Sequence, residues 1–187
     1  SQSNVCPDGS PLHNARDNTV MIRTTGNRDI VVAARESGCT YMMAENWPYE
    51  PSILKAQKMY AEGKLGTLFY AEAEYLHHTE SLWYKPDGTP TWRASLPPIH
   101  YCTHSLGPLL AWTGDRCVSV TGMHTGSHLR PDLGTIDMEV GIFRTAAGGV
   151  FKILCGFSVM SEPGRHWYCV YGTRGMLESV RSNLMRL

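Results

Sequence analysis

Ile136-Asp137-Met138-Glu139-Val140-Gly141-Ile142-Phe143-Arg144, then Thr145-Ala146-Ala147-Gly148-Gly149, then Val150-Phe151-Lys152-Ile153-Leu154-Cys155-Gly156-Phe157-Ser158 is the stretch that decides the fold. Two apolar, β-branched runs flank a short glycine-containing turn, which is the pattern of a β-hairpin. Ile136, Met138, Val140 and Ile142 alternate with Asp137, Glu139, Gly141 and Phe143. Phe151, Ile153, Cys155 and Phe157 alternate with Val150, Lys152, Leu154 and Gly156. Successive side chains of a strand point to opposite faces, so both faces of this hairpin carry apolar residues.

Outward from the hairpin, more strands are expected. His166–Gly172 and Met176–Ser179 flank the turn Thr173-Arg174-Gly175, and Cys117–Met123 precedes a loop over His124–Thr135. Leu68–Leu76 alternates Phe69, Ala71, Ala73 and Tyr75 with Tyr70, Glu72 and Glu74, as a half-exposed strand does. Helices are expected over Arg28–Ser37, closed by Gly38, and over about Pro51–Glu62, burying Ile53, Leu54, Met59 and Ala61 or their neighbours. Cys39–Glu45 reads as a short buried strand. Hairpin-linked strands with few helices give an α+β domain: a largely antiparallel, open-faced sheet with helices on one face. Those helices cover one face only, so a homodimer or higher oligomer through the sheet is expected, the alternative being that the N-terminal arm folds back over it. Residues 1–27, rich in Asn, Asp, Gly, Pro, Ser and Thr, read as a poorly specified arm, and 28–187 as the domain.

At 187 residues the chain can bury a sizeable core. Its 17 Lys and Arg balance 17 Asp and Glu, which leaves no field to hold nucleic acid or an anionic membrane. No apolar run is long enough to span a bilayer, and Ser1-Gln2-Ser3-Asn4 does not open a signal peptide. The six cysteines form no C-x-x-C pair; Cys39, Cys117, Cys155 and Cys169 read as buried free thiols of a reduced, cytoplasmic compartment, while an even count leaves disulfides open.

The chemistry gathers around Pro97–Trp112. Two prolines precede His100 and His104, whose spacing of four puts both imidazoles on one face of a helix that ends at Gly114. They are either ordinary histidines at the edge of a core or part of a ligand site. With His77, Arg93, Trp92 and Tyr75 they form the set of aromatic faces and polar groups that a sugar-binding cleft uses. His77, Arg93, His100 and His104 are expected to line one cleft. Glu45 and Asn46, just after an apolar run, stand where open sheets place ligands or where a helix is capped. A metal set would draw on His77 or His78 with His100, His104 and Glu74, but there is no H-E-x-x-H and no metal site is assigned. Neither G-x-S-x-G, G-x-G-x-x-G nor a Walker loop is present.

The ordered pieces Tyr41–Asn46, Glu62-Gly63-Lys64-Leu65-Gly66, Ala73–His77, Trp92-Arg93, Tyr101–Pro108 and Tyr171–Glu178 resemble the substrate half of the glucose–fructose oxidoreductase and inositol dehydrogenase family. Thr103-His104-Ser105-Leu106-Gly107-Pro108 resembles members that act on glycosides through a bound nicotinamide. The resemblance implies an NAD(P)-dependent two-domain oxidoreductase, with His104 as acid/base aided by His100, and with His77, Arg93, Trp92, Tyr75, Glu45 and Asn46 around a sugar or cyclic polyol. His100 stands where dehydrogenase members carry Asp, and the Rossmann domain with its catalytic lysine has no counterpart in this sequence. The expectation is a substrate-binding domain that binds no cofactor alone. The alternative is a non-catalytic ligand-binding or oligomerisation module.

Overall fold

The computed structural model describes residues 27–38, 40–42, 45–159 and 164–179. The chain divides into two units, 1–44 and 45–187. In the first, helix α1 (Asn27–Ser37) ends at Gly38, whose φ of 64° relieves the turn. The arm expected over 1–27 lies almost wholly outside the described residues. Among the described residues of the strand expected over Cys39–Glu45, Thr40–Met42 and Glu45 are irregular rather than extended in a sheet, with Met42 70% exposed. Cys39, Met43 and Ala44 lie outside the described residues.

The second unit carries α2 (Pro51–Ala61), β1 (Leu68–Leu76), α3 (Thr103–Thr113), β2 (Cys117–His124), β3 (Met138–Thr145), β4 (Val150–Gly156), β5 (Arg165–Gly172) and β6 (Met176–Glu178). The strands form one sheet in the order β2-β3-β4-β1-β5-β6. Every pairing is antiparallel except β1 with β4. The exception follows from the route of the chain, since the meander β2-β3-β4 returns beside β1 and runs the same way. The result is the α+β architecture with a mostly antiparallel, open-faced sheet. Among the described residues no helix is long and apolar enough to cross a membrane.

One face of the sheet builds the core. Ala71 and Ala73 of β1, Phe151, Ile153 and Cys155 of β4, Phe143 of β3, and Tyr168 and Val170 of β5 are buried against Leu106, Leu109 and Trp112 of α3 and Ile53 and Ala56 of α2. Small alanines at the centre of β1 leave room for α3 to lie close. Helix α2 departs from expectation: Leu54 is 44% exposed and Ala61 is exposed, while Ala56 is buried. Its inward stripe is set by i and i+3. Phe69 also departs, being 53% exposed rather than beside Ala71. A register shift between Leu68 and Tyr70 interrupts the β1–β5 ladder, so the strict alternation fails there.

The two glycine motifs prove to be partners. Thr173 N–H donates to Thr67 O at 3.1 Å, Arg174 N–H to Leu65 O at 3.0 Å, and Thr67 N–H to Thr173 Oγ1 at 3.1 Å. The turn between α2 and β1 is thereby locked onto the β5–β6 turn. A Cβ on Gly172 would come within 2.0 Å of Leu65 O, which is why that position holds glycine.

Candidate functional site

The segment around His104 is not one helix. Pro98–Tyr101 forms a 3-10 turn, and α3 begins only at Thr103. The tighter 3-10 turn places His100 out of phase with His104, so the two imidazoles do not share a helix face as their spacing predicts. His100 is exposed, whereas the His104 side chain is only 19% exposed.

Pro108 has no N–H to give to the carbonyl of His104, four residues earlier. The Tyr168 hydroxyl of β5 donates to that carbonyl instead. This bond ties the first turn of α3 to the sheet beneath it. His104 Nδ1 then lies 2.6 Å from Glu45 Oε1, which also accepts from the Trp47 N–H at 3.1 Å. Burial raises the Glu45 carboxyl, but hydrogen bonds from Thr103, the Trp47 backbone and His104 outweigh it and hold it below its ordinary value. Glu45 is therefore a carboxylate at neutral pH. It can only accept, so the shared hydrogen sits on His104 Nδ1 and leaves Nε2 for other partners.

Tyr75, on the core face at the end of β1, is the centre of the group. Its ring meets His104 edge-on at 4.8 Å, His77 at 4.6 Å and His166 at 4.1 Å, and stacks with Tyr101 at 6.1 Å. Phe157 closes one side, 5.7 Å from Tyr75 and 5.0 Å from Tyr101. Trp47 closes another, its ring 3.7 Å from that of His166. Burial, then the neighbouring Tyr101, pushes the Tyr75 phenol up to about 12, so it keeps its hydrogen. His77 Nε2 and His166 Nε2 are 3.2 Å apart. All these groups stand at one end of the sheet: the ends of β1 and β4, the start of β5, the start of α3 and the turn at Glu45.

Of the expected site residues, Glu45, Tyr75, His77 and His104 are brought together. Asn46 is exposed, and its carbonyl accepts from Tyr49 N–H at 3.0 Å to close the 3-10 turn. Trp92 and Arg93 pair with each other, Arg93 Cζ lying 4.3 Å over the indole, in a turn where Thr91 accepts from Arg93 N–H. No ring contact or hydrogen bond described here joins that pair to the imidazoles. Sequence reasoning missed His166 and Trp47. The neighbourhood of Trp47 to Glu45 was a usable signal; His166 had none, because only the register Tyr75↔His166 brings it in. Among the described residues no group of three or more His, Cys, Asp and Glu side chains is placed to hold a metal ion. A cavity of about 230 Å3 by Tyr60, Thr67, Thr113 and Asp115 lies at the opposite end of β1.

The family model of the GFO/IDH/MocA C-terminal domain matches residues 53–178. The chain belongs to the GFO/IDH/MocA family. No curated protein matches it. Among solved structures, this GFO/IDH/MocA domain is similar to an oxidoreductase domain protein from Kribbella flavida, with a TM-score of 0.64 and 20% identity over 81% of this chain and 44% of that one. It is similar to myo-inositol 2-dehydrogenase from Lactobacillus plantarum, with a TM-score of 0.65 and 14% identity over 86% of this chain and 48% of that one. An inositol dehydrogenase homolog from Azotobacter vinelandii, complexed with NADH and myo-inositol, gives 0.65 and 15% over 81% and 40%. The chain thus spans less than half the length of these proteins, and likeness at such identity establishes the fold.

Proposed function

We propose that this domain binds a sugar or cyclic polyol at the Glu45–His104 pair, as the substrate-binding part of a GFO/IDH/MocA oxidoreductase of the redox-assisted glycosidase kind. The observation that carries the reading is the 2.6 Å carboxylate–imidazole contact, walled by Tyr75, Tyr101 and Trp47. Aromatic rings suit the C–H faces of a sugar ring, and the dyad suits its hydroxyls. With Nδ1–H held by Glu45, His104 Nε2 accepts a hydrogen bond from a ligand hydroxyl and is the atom that would take its proton, the carboxylate steadying the imidazolium, when a bound nicotinamide takes the hydride from the same carbon. Tyr75, kept protonated, offers a hydroxyl hydrogen bond. The Azotobacter relative that carries NADH and myo-inositol supports a polyol as ligand and a nicotinamide as hydride carrier in a complete enzyme. The described residues themselves do not fit a dinucleotide, since no glycine-rich turn leads from a strand into a helix N-terminus among them. The free thiols Cys102, Cys117, Cys155 and Cys169 fit a cytoplasmic setting, and the open sheet face fits self-association.

Calorimetric titration of the chain with myo-inositol and with simple glycosides tests the reading. Saturable binding is expected for at least one of them, weakened about tenfold or more, ~1.4 kcal/mol, by Tyr75→Ala and by His104→Ala. If none of these ligands saturates wild type, the reading is wrong and the non-catalytic module takes its place.

A further inference from the structure

The His77–His166 contact makes a second, independent pair at this site, and its geometry decides how its hydrogens are placed. The two Nε2 atoms are 3.2 Å apart and the ring centroids 5.4 Å. The centroid spacing exceeds the nitrogen spacing by nearly the sum of the two ring radii, so the rings meet almost head-on. That is the arrangement of a linear N–H···N hydrogen bond, not of two imidazoles converging on a cation between them. One ring donates and the other accepts, and both are neutral.

The direction of the bond follows from the far side of His166. Its Nδ1 is buried and, among the described residues, has no hydrogen-bond partner. A buried N–H without an acceptor is costlier and rarer than a buried lone pair without a donor. His166 therefore carries its hydrogen on Nε2 and gives it to His77. His77, accepting on Nε2, must carry its own hydrogen on Nδ1. Gly164 packs against that edge of the His77 ring, where a Cβ would come within 2.5 Å of Nδ1. The opposite face of His166 lies on Trp47, whose backbone N–H holds Glu45 Oε1.

We infer that His166 is the positioning residue of the site: by donating Nε2–H to His77 it fixes that ring as the neutral Nδ1–H tautomer, and by stacking on Trp47 it braces the turn that seats Glu45 against His104. The role of the cluster as a ligand site rests on the reading above; the tautomer does not. His166 faces His77 from the end of β1, Tyr75 within β1, His104 from α3 and, through His104 and Trp47, Glu45. Burial first, then repulsion from the His77 and His104 rings, pushes the His166 imidazole down to about 3, so His166 itself stays neutral.

The test is long-range 1H–15N correlation of the imidazoles in the full chain, without ligand, from pH 8 to 5. In wild type at pH 8 His77 is expected as a single Nδ1–H tautomer and His166 as Nε2–H, with His166 not titrating in that range. In His166→Phe the His77 ring should become a tautomer mixture. In His166→Gln the side-chain amide can donate in place of the imidazole and should restore Nδ1–H. A wild-type spectrum with His77 as Nε2–H, or with His166 titrating between pH 8 and 5, overturns the inference without recourse to any variant. Failure of the sugar titration alone leaves the tautomer result standing and removes only the ligand.

Discussion

His166 and Glu45 give the stability of this domain two separable acid transitions. The folded His166 stays neutral down to about 3, whereas an unfolded histidine titrates near about 6.5. Above that pH neither state holds the extra proton. As pH falls from there the unfolded chain takes up a proton that the folded chain refuses, so stability declines. Glu45 acts lower, because its depressed carboxyl contributes above the ordinary value of about 4.3 and loses that contribution as pH falls through the folded value. Denaturant unfolding at stepped pH should show His166→Phe flattening the decline between about 6.5 and 5, and Glu45→Gln flattening only the part below about 4.5. A wild-type stability that is level from pH 7 to 5 would count against the buried neutral His166. The Tyr168 hydroxyl is the other critical group at this scale. Tyr168→Phe leaves the His104 carbonyl without its donor and should cost about 1–3 kcal/mol. In a Pro108→Ala background α3 can supply its own N–H to that carbonyl, so the same change should cost clearly less, and equal costs in the two backgrounds would refute this account.

At the scale of elements, the lock between the α2–β1 turn and the β5–β6 turn holds the two ends of the sequence motif together. Gly172 lies directly against Leu65 O, and Gly66 combines a φ of 68° with Thr173 Oγ1 at 2.3 Å from a would-be Cβ. Gly172→Ala should therefore destabilise the domain by about 2–3 kcal/mol, since the obstructing atom is backbone and has nowhere to go. Gly88→Ala is the control, having positive φ but nothing within 4 Å, so it should show only the smaller backbone penalty of about 1 kcal/mol. Thermal unfolding of both variants distinguishes them, and a Gly172→Ala protein no less stable than Gly88→Ala would mean that the two turns are not tightly apposed.

For the whole molecule the open face of the sheet is the dominant surface. Ile142 is 44% exposed, Met123 80% and Tyr171 39%, around a Lys152–Glu72 ion pair of 2.7 Å. Leaving several hundred Å2 of apolar sheet in water forgoes on the order of 10 kcal/mol at ~25 cal/mol per Å2. A second copy of the same face is the simplest cover, because a two-fold interface needs one self-complementary patch. Light scattering at micromolar concentration should report a dimer or larger species, and Ile142→Lys should shift it to monomer. A wild-type monomer at that concentration would dispose of the proposed association.

Much of this was determined by the sequence alone. Alternation over 136–158 placed the β3–β4 hairpin, Leu68–Leu76 marked β1, and Pro51 and Gly38 marked helix ends, because these signals are local: side-chain period, fixed proline φ and glycine freedom act within a few residues. Glu45, Tyr75, His77 and His104 stood out as candidates for the same reason, each standing near an element's end, and the structure groups them. What only the tertiary structure decided is non-local. The parallel β1–β4 pairing depends on where a three-strand meander returns, the turn at His100 on a 3-10 segment that spacing cannot distinguish from a helix, and the exposure of Phe69 on a bulge in a ladder with β5. His166 belongs to this class. Its neighbours Trp47, His77 and His104 are remote in sequence, and a strand register, which is settled by packing of the whole core face, is what puts its ring against theirs.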